Sequence, residues 1–152
     1  MEDNWQTLHN ELRDDLQKEV HLTRELLSNM HQEEVSLMLH DAGSLNAILQ
    51  QRAHMIEKLS SLRTHRRVTT EQIEKITGTP SLDKVLPPTE EITMEILSLS
   101  DQLMALTEKI SRQSTQNQHI AAHGDHYSYP QPLPAEVRPK RKASVATYQI
   151  KK

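Results

Sequence analysis

Apolar residues recur at helical spacing along three long stretches of this chain. In the first, Trp5, Leu8, Leu12, Leu16 and Val20 lie on one stripe, and Leu27, Met30 and Leu37 continue it after a shift. Positions three, four and seven apart share a helix face, so the pattern predicts a helix over about residues 4–40 with Asn4 as its N-cap. At a rise of 1.5 Å per residue such a helix is roughly 55 Å long. Asp41-Ala42-Gly43-Ser44 then supplies turn chemistry, with Ser44 as the next N-cap. A connection that short reverses the chain into an antiparallel hairpin.

The second helix is expected over about residues 44–68. Its heptad seam runs Leu45, Ile48, Arg52, Met55, Leu59, Leu62 and Arg66, widened by Leu49 and Ile56. An unpaired guanidinium on such a seam is costly, so Arg52 and Arg66 are expected to snorkel or to pair with a first-helix carboxylate such as Glu33 or Glu34. Thr69 and Gln72 read as a capping box opening a short turn that holds Ile73 and Ile76 and ends at Gly78-Thr79-Pro80. Leu82, Val85 and Leu86 are expected to pin the following linker back on the hairpin.

Thr89 is a suitable N-cap for a third helix over about residues 89–118, with Glu90 and Glu91 in the first turn where they complement the helix dipole. Its seam, Ile92, Ile96, Leu99, Leu103, Leu106 and Ile110, keeps strict 4-3-4-3-4 spacing, and Leu97 and Met104 form a second stripe. From Ser111 the composition turns polar, so the helix end is expected to fray, and Tyr129-Pro130-Gln131-Pro132-Leu133-Pro134 reads as extended chain. The fold class is therefore all-α: a long antiparallel helical hairpin plus a third long helix in a coiled-coil-like bundle over residues 1–123, followed by a disordered Pro-rich and basic tail over 124–152. Punctuation agrees, since residues 1–79 contain no proline and all seven prolines lie from Pro80 onward.

Composition narrows the function. The apolar fraction is 35%, mean hydropathy is −0.70 and phenylalanine is absent, so a thin core of Leu, Ile, Val and Met is expected. Without cysteine there is no disulfide framework, thiolate metal site or Cys nucleophile. The opening Met1-Glu2-Asp3-Asn4 carries no apolar core of a signal peptide and no window reaches a membrane span, so the expected location is the cytoplasm and the chain is not membrane-embedded. Residues 1–137 carry a net charge of −9, whereas the last fifteen carry +6 and no acid. A body that acidic gives no footprint for nucleic acid. Arg138-Pro139-Lys140-Arg141-Lys142-Ala143-Ser144 matches short basic signals and kinase sites, and reads first as a solvated tail.

Candidate chemistry is sparse. His119, His123 and His126 at i, i+4 and i+7 could share a divalent metal, with Asp125 as a fourth ligand, yet the segment is polar and ends in Gly124, so solvated histidines are the expectation. A metal-responsive regulator built on these three remains a rival reading. No phosphate loop, HExxH or GxSxG is present, and the expectation is no catalytic residue, no cofactor and no resident metal. The surplus apolar positions Leu49, Ile56, Leu97 and Met104 call for either self-association or another protein's helix.

The run Glu33-Glu34-Val35-Ser36-Leu37, Asp41, Leu45, then Ile48-Leu49-Gln50-Gln51-Arg52-Ala53-His54-Met55-Ile56-Glu57-Lys58-Leu59-Ser60-Ser61-Leu62-Arg63 resembles the FlgN-type export chaperone family. Leu103, Leu106 and Ile110 followed by Asn117-Gln118-His119-Ile120 add to the resemblance, which spans about residues 5–120. It implies a small cytoplasmic chaperone of a flagellar or type III secretion system that masks terminal helices of hook–filament junction-like proteins, with the export apparatus as a second partner. Under that reading the partner contacts fall at Leu97, Met104, Ile110 and Ile120, by helix-in-groove packing. Tyr127 or Tyr129 in the tail would serve as a docking motif. The rival is a coiled-coil scaffold or stalk component that forms a homo-oligomer through the same stripes.

Overall fold

A computed structural model of the chain describes residues 2–78 and 91–123. Three helices account for nearly all of them: α1 (Glu2–Met38), α2 (Ala42–Thr77) and α3 (Glu91–Ala122). No strand is present among the described residues, in keeping with the all-α reading. The linker residues Leu82, Val85 and Leu86, the Thr89 cap, Asp125, His126, Tyr127, Tyr129 and the whole of the basic tail lie outside the described residues.

The α1–α2 connection is tighter than the sequence suggests, and Asp41 serves both helices. The Asp41 amide donates to the Ser36 carbonyl (3.0 Å) and the His40 amide to that of Leu37 (3.4 Å), the double bond pattern of a Schellman stop. His40 takes the left-handed position at φ 55°, where glycine is usual. The Asp41 carboxylate then caps α2, accepting from the Ser44 amide (3.0 Å) and the Ser44 hydroxyl (2.7 Å). The cap is thus Asp41, not Ser44, and these bonds hold the Asp41 carboxyl below its usual range.

No turn opens at Thr69. Its hydroxyl donates back to the His65 carbonyl (3.1 Å) inside a helix that runs on to Thr77, beyond the end expected near residue 68. Apolar spacing explains the extension: Thr69 and Ile73 are buried on the same face as Leu59, so the seam simply continues. Ile76 is exposed.

Along α1 the buried stripe has no shift at all. Leu12 (1% exposed), Glu19 (0%), Leu26 (0%) and Glu33 (0%) stand seven residues apart, so a carboxylate alternates with a leucine at one heptad position. Leu27, expected on the seam, is half-buried, and Leu26, one position before it, takes the heptad place between Glu19 and Glu33.

The described residues divide into two compact units, residues 2–22 with 59–78 and 91–105, and residues 23–58 with 106–123. In the first, Leu8, Leu12, Leu16 and Val20 of α1 are buried with Leu59 and Ile73 of α2 and Ile96 and Leu103 of α3. Trp5 is only half-buried; its ring stacks on His9 at 3.8 Å, and the His9 Nδ1–H donates to the Trp5 carbonyl (2.7 Å). Across α1 and α2, Glu19 pairs with Arg66 (2.5 Å), and an Asp15 carboxylate oxygen lies 2.5 Å from His65 Nδ1. Burial pushes the Glu19 carboxyl above its ordinary value, while the Arg66 and Arg63 charges pull it back down.

In the second unit, Leu37, Leu45 and Leu49 form one apolar cluster against which Ile120 and Ala121 of α3 pack. Arg52, only 3% exposed, pairs with the fully buried Glu33, which is one of the two partners expected for it. Its Nε donates to Asn29 Oδ1 (3.0 Å), and Asn29 Nδ2 donates to the Ile48 carbonyl (2.9 Å). The buried guanidinium therefore sits in a built polar cage.

Replacing Glu33 with Ala is expected to cost about 3–5 kcal/mol in urea unfolding, since a buried guanidinium loses its carboxylate. Adding Arg52→Met should recover most of that loss, and simple additivity of the two would contradict the pairing. Glu19 is expected to titrate above 4.5 by carboxyl NMR. Because the native state then holds this proton more tightly than the unfolded chain, stability declines as pH rises from the unfolded value through the native one, a decline that Glu19→Gln should remove.

Candidate partner-binding faces

Helix α3 has an inward line and an outward line. The inward line follows two interleaved heptad positions: Thr93, half-buried Ser100, Thr107 and Ser114 in one, and Ile96, Leu103, Ile110 and Asn117 in the other, all buried except Ser100. Small hydroxyl residues thus alternate with larger side chains facing the core. Of the expected seam, Ile96, Leu103, Leu106 and Ile110 are buried, whereas Ile92 and Leu99 are half-buried and the neighbouring Thr93 is fully buried.

The outward line differs between the two units. In the first unit Met94 is 61% and Met104 56% exposed, and Leu97 between them is half-buried. These three occupy i, i+3 and i+10 on one helix face, with Asp101 exposed on the same face. An unbranched thioether adapts its shape to what covers it, so the chemistry this face offers is adaptable apolar contact beside one carboxylate. Two further exposed apolar residues of this unit, Val68 and Ile76, stand on α2.

In the second unit the same helix is closed down. Ile110 is 0% exposed, and the half-buried Ile120 packs on the Leu37, Leu45 and Leu49 cluster. Leu49 is buried there as well, while Ile56 is half-buried. Amide pins add to the contact: Asn117 Nδ2 donates to the Met30 carbonyl (2.8 Å), and Gln113 Nε2 reaches both Asn117 Oδ1 (2.9 Å) and Glu34 Oε2 (2.6 Å). The polar composition after Ser111, read from sequence as a fraying end, instead supplies side-chain hydrogen bonds to α1. Exposed apolar residues of this unit lie at the end of α1, at Val35, Met38 and Leu39.

Of the four residues expected to contact a partner, the structure leaves Leu97 and Met104 accessible, both in the first unit, and places Ile110 and Ile120 in packing contacts of the second. Met94 was missed. Its signal was legible, because it stands three residues before Leu97 on the Met104 stripe.

Of the histidine cluster, His119 and His123 lie among the described residues and His126 does not. The His119 and His123 rings stack at 4.0 Å, and the His123 Nδ1–H donates to the His119 carbonyl (3.0 Å), which occupies one ring nitrogen. Among the described residues no three His, Asp or Glu side chains come together to hold a metal ion, and no helix is long and apolar enough to cross a membrane.

No curated protein and no solved structure shows a significant match to the chain. A family model described as FlgN protein matches residues 1–126, the span that contains all three helices. On that match the chain belongs to the FlgN family, whose role is that of flagellar export chaperones.

Proposed function

We propose that this chain works in the cytoplasm as an export chaperone, masking an amphipathic helix of a flagellar substrate such as a hook–filament junction-like protein by packing it on α3, without catalysis. The observation that carries the reading is the Met94, Leu97 and Met104 stripe, which a solitary helical bundle would have no reason to leave in water. A substrate helix that later assembles outside the cell exposes an apolar face of its own. Covering it with a matching face needs no nucleotide and no bond chemistry.

Magnitudes set a limit on this face acting by itself. Burying the exposed parts of two methionines yields roughly 2–4 kcal/mol, whereas micromolar binding needs about 8 kcal/mol. The substrate must therefore extend past the stripe onto neighbouring surface.

The test is to co-express the tagged chain with the hook–filament junction-like protein from its own genome, purify the complex gently and weigh it by light scattering. A stoichiometric complex is expected, weakened at least about tenfold by Leu97→Asp with Met104→Asp, since two charges then face the apolar side of the partner. Recovery of the chain alone as a stable homo-oligomer, broken by the same two substitutions, would overturn the chaperone reading in favour of a scaffold.

A further inference from the structure

An open cleft of about 340 Å³ lies between α1 and α3 within the second unit. Leu27, half-buried, forms part of its apolar lining. Lys109 and Arg112 stand one helical turn apart on its α3 wall, and His31 stands on its α1 wall; all three are exposed. Glu34 is the single carboxylate of the lining, and it already accepts from Gln113 Nε2 at 2.6 Å. Neither Lys109 nor Arg112 has an ion-pair partner among the described residues. In a body that carries −9 over residues 1–137, two neighbouring cations without an ion-pair partner beside a cleft floored by Leu27 are out of keeping with the surroundings.

We propose that this cleft binds an acidic segment of a protein partner, seating two carboxylates one helical turn apart against Lys109 and Arg112 with their methylenes over Leu27. The volume is near the lower end of small-molecule clefts, which are mostly apolar and bury most of their ligand, whereas here Lys109 and Arg112 are both solvent-facing. A peptide that lies across the opening suits that geometry better than an enclosed metabolite. The spacing also suits it, because Glu or Asp side chains at i and i+3 or i+4 of a helix stand as far apart as Lys109 and Arg112 do. The inference rests on the reading that the partner is a protein, and it adds the charge that partner carries on one face.

The test is a titration of the ¹⁵N-labelled full chain at low salt with a capped hexaglutamate peptide, using a capped hexaglutamine peptide and inorganic phosphate as separate arms. Saturable amide shifts are expected at Leu27, His31, Arg112 and Gln116, fading as salt is raised. Affinity should fall about three- to tenfold in Lys109→Gln with Arg112→Gln, the loss expected for two exposed ion pairs, and should hold in Arg112→Lys. The basic tail is a competing site, so the shifts must persist when Arg138, Lys140, Arg141 and Lys142 are all replaced by Gln. Shifts confined to the tail, shifts reproduced by hexaglutamine or by phosphate alone, or binding indifferent to the Lys109 and Arg112 substitutions would overturn the proposal. This titration needs no exported protein, so its failure leaves the chaperone reading standing, and the failure of that reading leaves this result intact.

Discussion

Two carboxylates buried on the central line of α1 constrain everything packed around them. Glu19 and Glu33 are each 0% exposed, and a lone buried carboxylate is far too costly to tolerate, so α2 must bring a cation to each. Within the first unit Arg66 does this for Glu19, and within the second Arg52 does it for Glu33. Fourteen residues separate the two acids in sequence, and fourteen separate the two arginines in the opposite sense. An antiparallel slip of one heptad would set each acid against a different side chain and leave both guanidinium groups without their carboxylates. Ion pairs of this kind contribute little net stability compared with apolar packing. What they supply in this chain is a register, which leucine seams alone leave loosely specified.

Helix α3 is held by other means. In the second unit its inward line includes Thr107, Ser114 and Asn117, and its firmest links to α1 are amide hydrogen bonds to a backbone carbonyl and a carboxylate. In the first unit the buried Ile96 and Leu103 anchor it, while Met94 and Met104 remain in water on the other side. A helix packed by one narrow face keeps a second face in water, and it is on that face of α3 that we propose a client helix is held.

Much of this was legible in the sequence, and the omissions share one cause. Leu45, Ile48, Arg52 and Leu59 fell on the α2 seam because their spacing is regular, and the pairing of Arg52 followed from the cost of leaving a guanidinium on an apolar line. The errors came from reading polar residues as surface. Glu19 was passed over, which introduced a false shift in α1 and put Leu27 where Leu26 belongs. Thr69 was read as a cap although it is buried in mid-helix, Thr93 and Thr107 were not counted in the α3 core, and Asn117 was assigned to a fraying end. Hydropathy patterns register apolar atoms; a polar side chain that is buried because another helix completes its hydrogen bonds leaves no trace until that helix is in place. Only the packed structure shows which side of α3 the bundle covers, with Ile110 buried and Ile120 packed on the Leu37, Leu45 and Leu49 cluster.

The account depends most on which part of the surface a client covers. Hydrogen–deuterium exchange of the full chain, alone and saturated with its exported flagellar partner, reads this directly. Slower exchange is predicted across residues 91–105 of α3, with residues 42–58 of α2 unchanged. Protection confined to the end of α1 around Val35, Met38 and Leu39, or gained nowhere on α3, would contradict it.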